Sequence, residues 1–390
     1  MTVPEVRPWP TVARSVTVVT VCMLPVFLTG ALAVQIGDEL GFDPAGLGLV
    51  VASYFGVAAL TSVPAASLVD RLGPTMASRL AAAGAASSMV LIAAVAQGYA
   101  ALGAIILCAG GCSAIGNLAS NVTLARVIPS RRLGFSFGVK QAAVPLATLL
   151  SGLAVPGFAL TVGWRWAYVV GAGLAVIGAM LAPRISASDG VQVRDERRAT
   201  GALAVVALAS CLASACATML SIFLVTSTRE QGIDPGLAGL ALTLGSVAGL
   251  IGRLLNGWLA DRRQGGHITA VAVCLGIGAV GLALLAVPGA PTLVVGTILG
   301  FGLGFSWQGL LQFAVIRLHP TAPAAASSVV QLGGNAGNFV GPIGFGFLAG
   351  HTTFELAYTV AAGTMVVATA AMSMGRWLFS AHSTRIARSS

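Results

Sequence analysis

Charged residues are scarce in this sequence. Only 8% of its 390 residues are Asp, Glu, Lys or Arg, whereas 56% are hydrophobic. A soluble globular protein carries about 25% charged residues. So few charges could not cover the surface of a soluble protein of this length, and a soluble fold is therefore excluded.

Some residue types are rarer still. Lys140 is the only lysine, and acidic residues and histidines are absent from the middle of every long apolar run. An enzyme embedded in a membrane would need a nucleophile–base pair or a His/Asp metal cluster at that depth. We therefore expect no enzyme, no metal and no cofactor. The six cysteines lack zinc-ligand spacing with a nearby histidine and are interpreted as packing residues.

Long apolar runs dominate the rest of the chain. A run of 18 or more such residues can cross a hydrocarbon core of ~30 Å as an α-helix. The pattern predicts an all-α membrane protein with twelve transmembrane spans. They are predicted at 14–37, 45–68, 75–97, 99–125, 134–159, 163–182, 201–228, 236–260, 267–288, 291–316, 323–349 and 354–379.

An internal repeat divides the chain into two halves. The segment "GFDPAGLGL" at 41–49 recurs as "GIDPGLAGL" at 232–240, an offset of 191 residues. The same offset relates Lys140 to Gln331 and Asn117 to Gln308. We predict an N-terminal six-helix bundle over 1–182, a polar cytoplasmic linker over 183–200 and a C-terminal six-helix bundle over 201–390.

The arginines predict the orientation in the membrane. With both termini inside, 17 arginines fall in cytoplasmic segments and only Arg165 and Arg229 in outer loops. Cytoplasmic loops are enriched in Lys and Arg, so the net charge of +9 is a topology signal and requires no nucleic-acid partner. We expect a monomeric, multi-pass protein of the plasma (inner) membrane with both termini cytoplasmic.

The connection after the second span carries a motif. It reads "ASLVDRLGPTMASR" in the first half and "GWLADRRQGG" in the second. Both resemble the signature G-x-x-x-D-[RK]-x-G-[RK]-[RK] of major facilitator superfamily transporters. The first copy departs from it, because Ala66 replaces a glycine and Pro74 a basic residue. The matching residues are Asp70, Arg71 and Gly73 in the first half, and Gly257, Asp261 and Arg262 in the second.

This resemblance implies two six-helix bundles around a central cavity, working by alternating access. It also implies that the loop charges latch the cytoplasmic side. Asp70 would accept hydrogen bonds from the N–H groups at the start of the eleventh span, where a helix favours an anion. The alternative is that these residues are solvated loop charges. The residues assigned to gating are Asp70, Arg71, Asp261, Arg262, Arg126 and Arg317.

Polar residues at membrane depth are expensive and usually functional. Five are predicted ~12–14 Å from the cytoplasmic edge, counting 1.5 Å per helical residue. They are Lys140, Arg253, Asn117, Gln308 and Gln331. This depth is close to the midplane, where secondary transporters bind their substrates.

Further candidates share these spans. Gln331, Asn335 and Asn338 form one stripe on a helix, and Tyr54, Trp307 and Gln312 are expected in the cavity wall. Two orientations are open for Lys140: toward the cavity, or snorkelling toward the inner surface.

Two midplane cations without a midplane anion predict a secondary transporter. Its substrate would be a small organic anion such as a carboxylate, bound by Lys140 and Arg253. The alternative is efflux of drugs or other amphipathic compounds. Symport with a proton carried by the substrate or by Lys140, uniport and exchange are all compatible with the sequence. The expected partners are this substrate and the lipid bilayer.

Overall fold

The computed structural model describes residues 8–127, 136, 138–182, 201–263, 265–318 and 323–389. The regular structure in these ranges is helical and contains no β-strand. The expected linker, 183–200, lies outside them. The helices are α1 (Pro8–Ala31), α2 (Ala33–Leu40), α3 (Pro44–Leu60), α4 (Ser62–Val95), α5 (Tyr99–Val127), α6 (Ala143–Ala154), α7 (Trp164–Leu181), α8 (Gly201–Glu230), α9 (Pro235–Arg262), α10 (His267–Leu285), α11 (Ala290–Gly302), α12 (Trp307–Leu318), α13 (Pro323–His351) and α14 (Phe354–Ser389).

The helices confirm an all-α membrane protein. Within the described residues, ten helical spans are long and apolar enough to cross a membrane. An eleventh is present if α2 and α3, bent by 111° to each other, count as one span. Helix α13, with 29 residues, is long enough to cross a membrane. It is not among the counted spans, because the amides of Gln331, Asn335 and Asn338 lower its apolar character. Each of the twelve predicted spans overlaps a helix or a helix pair.

The repeated Asp-Pro sequences start helices. The Asp43 carboxylate accepts a 2.8 Å hydrogen bond from the Gly46 N–H at the start of α3, and Asp234 does the same for Gly236 at the start of α9. Proline suits the first helical position, because its missing N–H would have no partner there. The bend between α2 and α3 follows Gly41 in a left-handed conformation (φ 73°), within the predicted connection between the first two spans. Helix α1 already ends at Ala31, so the first predicted span, 14–37, also includes the start of α2.

The motif glycine Gly73 also has a structural reason. Helix α4 continues through the predicted loop 69–74 but is broken at Gly73, with φ 76° and ψ 156°. This conformation is almost restricted to glycine, and Pro74 then starts the next helical stretch. The second and third predicted spans therefore meet at a kink and are not separated by a loop.

One compact unit comprises Met1–Gly190 together with Ser221–Ser246. Helix α1 packs on α5, α6 and α7 inside this unit. The segment Ser221–Ser246 belongs to it because it touches the earlier helices closely. Ser246 donates a 2.7 Å hydrogen bond to the Thr148 hydroxyl, and a Cβ on Gly152 would lie 2.7 Å from the Gly239 carbonyl oxygen. The predicted division into six-helix bundles over 1–182 and 201–390 stays a prediction.

The second unit comprises Val191–Leu220 and Val247–Ser390. Helix α10 packs on α11, α12 and α14, and α13 packs on α12 and α14. The predicted tenth span is interrupted at Leu303–Ser306, between α11 and α12. This break lies against α9, because a Cβ on Gly252 would collide with the Gly302 carbonyl oxygen.

Candidate substrate site

Lys140 is buried in the first unit. Only 7% of the residue is exposed, and its Nζ lies 2.6 Å from Oδ1 of Asn121 on α5. A second, longer contact of 3.5 Å reaches the Asn117 carbonyl oxygen. The ammonium is therefore directed toward α5 rather than toward a solvent surface. A lysine ammonium has three donors, and these two contacts use two of them.

Asn117 contributes to this site through its backbone. Its side-chain amide donates a 3.3 Å hydrogen bond to the Ser113 carbonyl oxygen, one turn earlier on α5. Asn121 was missed from the sequence, although two signals pointed to it. It lies four residues after Asn117, on the same helix face, and the offset of 191 relates it to Gln312.

The second unit contains the equivalent pair. Gln312 Nε2 donates a 2.7 Å hydrogen bond to Gln331 Oε1, and these residues correspond by the repeat to Asn121 and Lys140. Gln331 in turn donates to Asn335 at 3.2 Å. Both halves of the chain thus hold a polar pair at the same two positions, with an ammonium in the first and an amide in the second.

Arg253 belongs to α9 and contacts the break between α11 and α12. It is also buried, with 7% exposure. One guanidinium nitrogen lies 3.2 Å from both the Phe305 carbonyl oxygen and Gln308 Oε1. The guanidinium carbon stands 4.9 Å from the centre of the Phe305 ring, a cation–π contact. The structure therefore brings together Arg253 and Gln308, two residues that the sequence placed in one polar layer.

Tyr54 and Trp307 were expected in a cavity wall, but each is packed inside its unit. Tyr54 is fully buried and donates a 2.8 Å hydrogen bond to the Cys22 carbonyl oxygen. Trp307 is 1% exposed. Their part in a substrate site stays a prediction.

The predicted gating residues have varied surroundings. Asp70 and Arg71 are exposed. The Arg262 guanidinium lies 3.6 Å from the centre of the Trp258 ring, and Arg317 lies 3.4 Å from His267 Nε2. The side chains of Arg126 and Asp261 lie outside the described part of the chain. The latch stays a prediction.

Arg165 and Arg229, the two arginines predicted to lie in outer loops, both form ion pairs. Arg165 lies 2.6 Å from Glu39, which also accepts a hydrogen bond from the Trp164 indole. Arg229 lies 3.0 Å from Asp38. The acceptors found for Lys140, by contrast, are neutral oxygens.

A sequence profile of the Major Facilitator Superfamily matches residues 16–204 and 206–389. The chain belongs to this superfamily. It is a multi-pass membrane transporter and not an enzyme. The chain is 26% identical to a chloramphenicol resistance protein of Streptomyces lividans, over 87% of this chain and 89% of that protein.

Two solved structures of the superfamily share the fold. The nucleoside transporter NupG superposes with a TM-score of 0.70 at 16% identity, covering 93% of this chain and 99% of that one. A bacterial homologue of the human lysosomal transporter Spinster, in an inward-facing and occupied conformation, gives 0.70 at 14% identity and covers 98% of both chains. At these identities the likeness concerns the fold alone.

Proposed function

We propose that this transporter moves a small organic anion, such as a carboxylate, and that Lys140 is its principal charged contact. The observation that carries the proposal is the environment of the ammonium. Lys140 is buried, its acceptors are an amide oxygen and a backbone carbonyl, and one of its donors has no acceptor within the described part of the chain.

A buried cation needs compensation. Removing an ammonium from water costs several kcal/mol, and hydrogen bonds to neutral acceptors compensate only part of this desolvation free energy. Asn121 and Asn117 hold the ammonium in place without cancelling its charge. An anionic substrate would complete the coordination with the third donor, in a charge-assisted hydrogen bond.

The other polar residues extend the proposal. Within the second unit, Arg253 and Gln308 are proposed as polar contacts for substrate, because they meet at a break in a helix, and broken helices frequently form the binding sites of transporters. Gln331 and Asn335 are proposed to hydrogen bond neutral groups of the substrate. We further propose a plasma-membrane location with cytoplasmic termini, a monomer, and symport with a proton.

A second candidate function is export of a neutral amphipathic drug. One observation favours it, namely the similarity to the chloramphenicol resistance protein over nearly the whole chain. Under this alternative, Lys140 and Arg253 would bind polar groups of the drug by hydrogen bonds, and no anion would be required.

Transport assays separate the two candidates. Purified protein in proteoliposomes is offered radiolabelled mono- and dicarboxylates, and cells expressing the protein are tested for chloramphenicol resistance. Uptake of a carboxylate that Lys140→Gln abolishes and Lys140→Arg partly retains supports the anion. Resistance in cells, with no carboxylate moved in liposomes, would overturn the anion proposal in favour of export.

A further inference from the structure

The N-terminus of α10 is an open helix end. Its N-cap is Gly266, in a left-handed conformation (φ 74°), and no side chain caps the helix. The first N–H groups of a helix have no acceptor inside it. Here they belong to His267, Ile268 and Thr269. Such an end attracts anions through these donors and through the helix dipole.

Three arginines from different parts of the second unit surround this end. Arg317, near the end of α12, lies 3.4 Å from His267 Nε2. Arg376, on α14, donates a 2.8 Å hydrogen bond to the Thr269 hydroxyl. Arg263 directly follows α9 and lies four residues before His267 in the chain. All three are exposed, so a ligand can reach them.

The imidazole of His267 is a second, independent sign of a ligand. The residue is only 8% exposed, and its ring packs edge-on against Phe313. Within the described part of the chain, its Nδ1 has no hydrogen-bond partner. A buried polar atom without a partner at an uncapped helix end indicates an acceptor or donor that is supplied from outside.

The surroundings suit a membrane interface. Trp377, next to Arg376, is 65% exposed, and Trp258 on α9 is 49% exposed. Tryptophan is enriched where the hydrocarbon core meets the headgroups, and basic pockets between membrane helices bind phosphate-bearing headgroups. By the arginine distribution, this end of α10 is the cytoplasmic one.

We propose that the N-terminus of α10, with Arg263, Arg317 and Arg376, binds a phosphate group. The shared chemistry is a phosphate oxygen that accepts hydrogen bonds from the helix end and the guanidinium groups. Its source is either the headgroup of an anionic phospholipid or free phosphate. This site does not involve Lys140 and does not rest on the proposed substrate.

The test measures the unfolding temperature of the full-length protein, purified in an uncharged detergent, against ligand concentration. The ligands are dioctanoyl phosphatidylglycerol, dioctanoyl phosphatidylcholine and inorganic phosphate. We expect phosphatidylglycerol to stabilise the protein more than phosphatidylcholine does. In the double variant Arg263→Gln/Arg376→Gln, the half-saturating concentration of phosphatidylglycerol should rise by about fivefold for each arginine lost.

Several comparisons keep the test decisive. Arg14→Gln removes an exposed arginine of α1 and should leave the response unchanged. Arg376→Lys should retain most of the stabilisation by phosphatidylglycerol. His267→Phe, which keeps the ring packing, should weaken that stabilisation. Stabilisation by inorganic phosphate that the double variant loses would identify a soluble source. Equal responses to both lipids with no effect of phosphate, or an unchanged double variant, would overturn the proposal.

Discussion

Lys140 donates a 2.6 Å hydrogen bond to the side chain of Asn121, 19 residues earlier in the chain. The equivalent positions of the second half, Gln331 and Gln312, are also 19 residues apart and form a 2.7 Å hydrogen bond. The repeat therefore preserves a pair of interacting side chains and not only a sequence pattern. Within this shared geometry, only the first half carries a positive charge, which is why we assign the anion to Lys140.

Substitutions of Asn121 test whether the charge of Lys140 must remain available. Asn121→Asp keeps the shape of the side chain but creates an ion pair with the ammonium, whereas Asn121→Ala removes one acceptor. We expect Asn121→Asp to abolish carboxylate uptake in proteoliposomes and Asn121→Ala to reduce it by about tenfold or less. A purely structural role for Asn121 predicts the opposite order, because the isosteric variant would then be the milder one.

The ion pair Asp38–Arg229 joins residues separated by 191 positions, the offset of the repeat. Opposite charges at these two equivalent positions link the end of α2 to the end of α8. Both side chains are well exposed, so the pair contributes about 1 kcal/mol or less. A cavity of about 240 Å³ next to it is lined by Thr226 among others.

Charge reversal tests this contact. In a background without reactive cysteines, Asp38→Arg should raise the rate at which an impermeant thiol reagent labels Thr226→Cys, by up to about fivefold. The exchanged pair Asp38→Arg/Arg229→Asp should restore the slow rate. Equal labelling of the single and the exchanged variants would show that the ion pair does not hold this end closed.

The contact of α9 with the break between α11 and α12 gives a stability prediction. Gly252→Ala would drive a methyl group into the Gly302 carbonyl oxygen, and overpacking of this kind costs about 1–3 kcal/mol. Gly257→Ala, on the same helix, meets no atom within 4 Å and should be neutral or stabilising by up to about 1 kcal/mol. Unfolding temperatures of the two variants in detergent compare them directly, and similar values would contradict the close contact.

Much of the fold could be predicted because transmembrane helices are identified by their long runs of apolar residues. The apolar runs located the spans, and the Asp-Pro sequences that start α3 and α9 revealed the repeat. The breaks were harder to predict. The interruption at Leu303–Ser306 lies in a uniformly apolar run, and it is visible only through the glycine contacts of neighbouring helices. The kink at Gly73 was not predicted because the motif was interpreted as a loop.

The site could be predicted only in part. The polar counterpart of Lys140, Gln331, followed from the offset of the repeat, whereas the depth of Lys140 in the membrane stays a prediction. The partner Asn121 depends on how α5 is rotated against the segment that carries Lys140, and residue counting contains no information on that rotation. The direction of the Tyr54 hydroxyl, which donates to a backbone carbonyl inside the unit, depends on helix rotation in the same way.

The central claim is that the ammonium of Lys140 binds an anion, and equilibrium binding tests it most directly. Calorimetric titration of purified protein with carboxylates is compared between the natural chain and Lys140→Gln, which places at this position the amide found in the second half. We predict that the variant keeps its unfolding temperature within a few degrees and binds the carboxylate at least about tenfold more weakly, because a charge-assisted hydrogen bond is lost. Unchanged affinity in a folded Lys140→Gln protein would contradict the account.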